Sequence, residues 1–124
     1  MKLSLTTDYA VQILRYLHEH QYEAVSAKEI VDATGVTYTF VMKLSACLKD
    51  AYMIEVVQGR QGGYTLRKPV HQISLYDVYT AVGGKLQINN CLQEIVPAGT
   101  RTFFDDLQSD IVSEMSGTYI SDLI

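Results

Sequence analysis

The chain has 124 residues, 48% of them hydrophobic and 19% charged, which is enough for one domain with a buried core and excludes a disordered polymer. Its net charge of −4 excludes a uniformly basic nucleic-acid binder, but the charge is uneven. Residues 1–69 carry eight Lys and Arg against seven Asp and Glu, a balance of +1, whereas residues 70–124 carry two against seven, a balance of −5.

The acid therefore lies in the C-terminal third and leaves room for a local basic face elsewhere. No apolar run approaches the ~20 residues that span a bilayer. The opening MKLSLTTDYA lacks the apolar stretch and cleavage site of a signal peptide, so a cytoplasmic protein without a membrane partner is expected. The two cysteines, Cys47 and Cys91, form neither a CxxC pair nor a disulfide framework.

A first helix is predicted from Thr6 or Thr7, either of which can cap it, to about Tyr22. Ala10, Ile13, Leu14 and Leu17 recur on one face. Ser26 and Glu29 have the spacing of a capping box and open a short helix with Ile30 and Val31 inside. That helix stops at Thr34-Gly35, where glycine tolerates the left-handed conformation. Thr37 then caps a third helix. Its inner face is read as Phe40, Val41, Leu44, Cys47, Leu48 and Ala51, with Tyr38, Thr39, Lys43 and Ala46 largely outside. Two short helices joined by a tight glycine turn make a helix-turn-helix.

The β-branched run MIEVVQ, residues 53–58, and the alternating YTLR, residues 64–67, predict two strands joined by the glycine-rich 59–63. A phosphate-binding loop would need a helix directly after its glycines. A strand follows here, so the glycines read as a hairpin tip, a wing. They are expected there for positive φ and to let the tip come close to a DNA backbone. Pro69 ends the hairpin. Ser74 and Asp77 start another helix, with Leu75, Val78, Tyr79 and Val82 on one side, ending at Gly83-Gly84. Residues 85–99 read as loop. From about Thr102 a last helix carries Phe104, Leu107, Ile111 and Met115 opposite Asp105, Asp106 and Asp110. Gly117 breaks it, and Thr118 is placed to cap a final turn with Ile120 and Leu123.

The stretches TDYAVQIL, VSAKEIVDATGV with TYTFVMKLSACLKDA, and QGRQGGYTLRKPVHQISLYDVYTAVGG resemble the IscR/NsrR ("Rrf-two") family of bacterial winged-helix transcription regulators. The match is close over the first two thirds of the chain and loose over the last helix. The resemblance implies a mainly α fold with a small β-hairpin: a winged helix-turn-helix, residues 1–84, followed by a sensor-type loop and a long dimerisation helix, residues 85–124. It further implies a homodimer on a roughly palindromic operator. Many members hold an iron–sulfur cluster on three closely spaced cysteines before that helix. Here Cys91 stands at the first of those positions, and LQEIVPAGTRTFFDD after it supplies no second or third. One thiol cannot supply a cluster that normally needs four ligands, so no cofactor and no metal is expected. Asp8, a ligand position in the nitric-oxide-sensing branch, reads instead as a favourable charge at a helix N-terminus. Tyr52 replaces the family's usual glycine after the third helix. A left-handed tyrosine costs on the order of 1 kcal/mol, so a different local turn is expected there.

The candidate DNA-binding residues are Thr37, Tyr38, Thr39, Met42 and Lys43 at the front of the third helix, with Gln58 and Arg60 in the wing. Arg67 and Lys68 read equally as phosphate contacts or surface charges. Phe104, Leu107, Ile111 and Met115 are the candidate dimer stripe. Cys47 reads as a core residue. Cys91 reads as a packing residue or a redox thiol. His18, His20 and His71 have no metal-ligand spacing with the cysteines, and Tyr76 and Tyr79 are candidates to line an effector pocket. No nucleophile–base constellation or paired carboxylate is present, so an enzyme is not expected. The functional expectation is a dimeric, sequence-specific transcription regulator, a repressor, whose partner is double-stranded DNA. The alternatives are a winged-helix docking module without DNA binding or a thiol-switched regulator using Cys91.

Overall fold

The computed structural model describes residues 5–83 and 97–124. Helix α1, Leu5–Glu19, places Asp8 in its first turn, where a carboxylate faces the positive end of the helix dipole. It ends three residues before the expected Tyr22. The chain must turn there to bring Val25 beside the hairpin, and Tyr22 is left 94% exposed. Helix α2, Ala27–Thr34, is capped by Ser26 Oγ, which accepts from Glu29 N at 3.1 Å. It closes at Gly35 with φ 75°, whose N–H donates to Val31 O at 2.9 Å. Of its two expected inner residues Ile30 is buried and Val31 half-buried.

Helix α3, Tyr38–Asp50, buries Val41, Leu44, Ser45 and Leu48. These sit at i, i+3, i+4 and i+7, one helical face. The expected inner face is therefore corrected at three places. Ser45 is fully buried, Phe40 is 39% exposed, and Cys47 is half-buried on the flank.

Strands β1, Ile54–Val57, and β2, Gly63–Leu66, pair antiparallel with Ile54 opposite Leu66 and Val57 opposite Gly63. On its other side β2 takes a bridge from Val25: Val25 N donates to Tyr64 O at 2.9 Å, and Tyr64 N to Val25 O at 2.7 Å. A 3-10 turn at Val70–Gln72 follows Pro69. Helix α4, Leu75–Gly83, starts with a reciprocal cap. Asp77 N donates to Ser74 Oγ at 3.0 Å, and Ser74 N donates to Asp77 Oδ2 at 3.2 Å.

Helix α5 runs Ala98–Ser116, beginning four residues before the expected Thr102. Pro97 has no N–H to lose and a φ already suited to a helix start. Its carbonyl accepts from Arg101 N at 3.0 Å. Thr102 lies in the second turn, donating its hydroxyl back to Ala98 O at 3.0 Å. The short α6, Ile120–Leu123, is preceded by Tyr119, whose N–H donates to Asp122 Oδ2 at 3.0 Å. Thr118 does not cap it, because its hydroxyl donates back to Glu114 O at 2.9 Å.

The core joins α1 (Ala10, Ile13, Leu14, Leu17) to Ile30, Leu44, Leu48, Ile54, Ile73 and Val78, all at most 1% exposed. Burying each large side chain is worth about 1.5–3 kcal/mol. Ile120, 0% exposed, belongs to the same cluster. Its N–H donates to Ile73 O at 2.8 Å, and Leu75 N donates to Thr118 O at 2.7 Å. The head as packed thus takes in the 118–123 segment as well as the helix-turn-helix and wing. No helix among the described residues is long and apolar enough to cross a membrane.

Candidate nucleic-acid interface

Helix α3 is fixed from behind and free in front. Thr37, extended at φ −64° and ψ 153°, accepts from Phe40 N through its Oγ1 at 3.4 Å. This satisfies one of the free donors at the helix start, a contribution of about 1 kcal/mol. Opposite the buried Val41–Leu48 face run Thr39, Lys43, Ala46 and Asp50, all exposed. Tyr38 at 59% and Met42 at 40% exposure flank that line. The five helix candidates therefore share one open surface at the N-terminal half of α3.

The wing stands beside it. Tyr64, on β2, donates its hydroxyl to Met42 Sδ at 3.8 Å, tying the hairpin to the front of α3. On the other flank, Phe40 meets Tyr9 of α1 edge-to-face, with ring centroids 5.8 Å apart. Such a pair is worth about 0.5–1.5 kcal/mol and holds the helix start against α1. Neither contact follows from the sequence pattern. The signal for Phe40 is the phase of Val41, Leu44, Ser45 and Leu48, which turns it off the buried face. Nothing in the sequence marks Tyr64 as a neighbour of Met42.

Gln58 and Arg60 are exposed at the hairpin tip. The tip closes with Gly62 N donating to Gly59 O at 3.1 Å. A Cβ on Gly62 would lie 2.1 Å from Val57 O, and one on Gly63 would lie 2.4 Å from Val25 O. The close approach that forbids a side chain at these two positions is made within the chain itself, whereas Gly59, at φ 113°, has open space where a Cβ would stand.

Arg67 and Lys68 are exposed at the opposite end of the hairpin from Arg60, about 13 Å away for four residues of strand. Both amides donate to Met53 O, at 2.9 and 3.3 Å. The Arg67 guanidinium lies over the Tyr52 ring, 5.2 Å from its centroid. Tyr52 itself has φ 62°. The turn after α3 thus keeps the left-handed geometry that a glycine would favour, contrary to expectation. The cation–π contact, about 0.5–1 kcal/mol at an exposed site, offsets part of the strain.

On α5 only Met115 is buried, at 5% exposure; Phe103 is 61% and Leu107 38% exposed, with Phe104 and Ile111 half-buried. Met115 is taken up by packing within the chain, so of the expected stripe Phe104, Leu107 and Ile111 keep surface to offer. Cys91 and Gly84 lie outside the described residues.

A family model described as Rrf2, iron-dependent transcriptional regulator, matches residues 3–124. The chain belongs to the Rrf2 family. Among relatives, this Rrf2 chain is 32% identical over 93 residues to protein aau3 of Rhizobium meliloti, covering 75% of this chain and 60% of that protein. It is 28% identical over 92 residues to the HTH-type transcriptional regulator NsrR of Shouchella clausii, covering 73% and 62%. The chain thus spans about three fifths of the length of these two relatives. In fold it is similar to CymR, the global cysteine regulator of B. subtilis, with a TM-score of 0.84 at 20% identity, covering 99% of this chain and 95% of that one. These likenesses place the architecture as a winged helix.

The family description raises the question of iron. The donor set does not fit a cluster held by three thiolates of one chain. The sequence has two cysteines, and Cys47 is half-buried on the flank of α3. Among the described residues no three His, Cys, Asp or Glu side chains come together as a metal site.

Proposed function

We propose that this chain is a sequence-specific, DNA-binding transcription regulator that acts as a cytoplasmic homodimer and represses by occupying its operator, without a family-type iron–sulfur cluster. The observation that carries this reading is the pairing of a capped, outward-facing α3 with a wing tied to it through Tyr64 and Met42, in a chain matched by the Rrf2 model over residues 3–124. The N-terminal residues of such a helix enter the major groove. Thr37, Tyr38, Thr39, Met42 and Lys43 would meet base edges and phosphates, with Lys43 suited to guanine or phosphate and the Met42 methyl to an apolar base edge. Gln58 and Arg60 would reach the adjacent minor groove, where the negative potential is strongest over narrow A·T-rich steps. Dimerisation through Phe104, Leu107 and Ile111 on α5 would set two such heads on a palindrome.

The test is selection of bound sequences from random duplex DNA by the purified protein. A discrete palindrome is expected. Recovery of no common sequence, with equal retention of selected and scrambled duplexes, would favour a docking module that has kept the winged-helix shape.

A further inference from the structure

A cleft of about 360 Å³ lies at the base of the hairpin, between the end of α1, the end of β2 and the 3-10 turn. Ligand pockets begin at roughly this size. Its floor is apolar: Leu66, Pro69 and the buried Val70. Its rim is made of donors. His18 and Gln21 stand on one wall, Arg67 and Lys68 on another, and His71 closes the third. No carboxylate lines it. The Arg15–Glu19 ion pair uses none of these cations, and an adjoining cleft with a carboxylate, at Asp77, is shared with Lys68 alone among them.

The Arg67 side chain is also held in place. Its guanidinium rests on Tyr52, a residue kept at φ 62°, and its amide and that of Lys68 share the Met53 carbonyl. Left-handed non-glycine residues persist where the surroundings over-determine them, and they concentrate at ligand clamps. A guanidinium offers an oxyanion two parallel donors, and Lys68 on the same cleft adds a second cation.

We propose that this cleft binds a small organic dianion, a metabolite bearing two carboxylates or one phosphoryl group, as the effector of the regulator. The role as effector rests on the DNA-binding reading; the site does not. The anion sits between Arg67, Lys68 and His71 with its carbon frame on Pro69 and Val70. It lies at the far end of the hairpin from Arg60, so it is not a continuation of the reading surface. Its occupant joins the end of α1 to the end of β2, which is where a ligand could alter how the wing is set against α1.

The experiment is amide-resolved NMR titration of the intact, DNA-free protein with succinate and with inorganic phosphate, at ionic strength held constant with sodium chloride. Saturable shifts at residues 18, 21, 66–68 and 71 are expected, with apparent affinity at least tenfold above that for chloride. Arg67→Gln and His71→Glu, both at exposed positions, should each lower that affinity at least fivefold while melting like the parent. Linear shifts equal to those from chloride, or saturable shifts that both variants leave intact, would overturn the proposal. A parallel DNA titration separates the other source of phosphate. If Arg67→Gln reduces the salt slope of duplex binding by about one and the free protein shows no saturable site, the cleft serves the DNA backbone and the effector site is refuted. Failure of all duplex binding, with the anion site intact, would instead count against the DNA reading alone.

Discussion

The head and α5 are built on opposite terms. In the head, α1 alone buries five residues, and its Ile13, Leu14 and Leu17 meet Leu44, Leu48, Ile54 and Ile73 at 0–1% exposure. Helix α5 is longer, nineteen residues, and buries one. A polar, solvent-exposed helix of that length gains little from propensity and depends on packing for its stability. The head closes on a buried core, whereas α5 leaves most of its side chains at the surface. The acid follows the same division, with Asp105, Asp106 and Asp110 all exposed on α5.

The contrast breaks most sharply at the core. Leu44→Ala should cost 2–5 kcal/mol of unfolding free energy, whereas Leu107→Ala, measured at a concentration where the protein is monomeric, should cost less than about 1 kcal/mol. Chemical denaturation of both checks this, and equal losses would mean that α5 is packed within the protomer. Next in size is association. Leu107→Glu with Ile111→Glu should leave the circular dichroism of the head in place and convert dimers to monomers by sedimentation; a double variant that still sediments as a dimer would move the interface away from α5. In the head's outward face, Arg60→Ala should weaken operator binding by about 1–3 kcal/mol and reduce preference for A·T-rich flanks, read by titration against selected and scrambled duplexes at several salt concentrations. Unchanged binding to both would remove the wing from the reading surface. The smallest effect is at the turn after α3. Tyr52→Ala keeps the strained φ and loses the Arg67 contact, so it should lose about 1 kcal/mol, while Tyr52→Gly relieves the strain and should stay within about 0.5 kcal/mol of the parent in thermal unfolding.

Most of the head was legible because local signals agreed with the packing they serve. Ser26, Gly35 and Thr37 mark helix boundaries through side-chain and backbone chemistry that acts within three or four residues, and the Ser74–Asp77 cap works the same way. What failed rested partly on partners distant in sequence and partly on local phase. Tyr22 ends up exposed because Val25 must reach Tyr64. Phe40 is turned off the inner face by the phase of Val41, Leu44 and Leu48, and Tyr9 meets it there edge-on. Ser45 is buried by the phase of the helix despite its hydroxyl. The start of α5 was set four residues late because Gly99 reads as loop, while Pro97 at the helix start outweighs it. In the interface, the open face of α3 and the hairpin tip could be read from periodicity and glycines. The Tyr64–Met42 bond and the Arg67–Tyr52 contact could not, since they rest on side-chain reach across elements.

The docking of Ile120 against Ile73 leaves the core a seam that only later chain can close. The bond from Ile120 N to Ile73 O joins residues 47 positions apart, and Ile120 is fully buried there. A chain still being synthesised has α1 to α4 ready to pack before residue 120 is made, while the seat at Ile73 stands open, an apolar notch without its plug. Until the segment after α5 seals it, that notch is exposed apolar surface of the kind that favours aggregation.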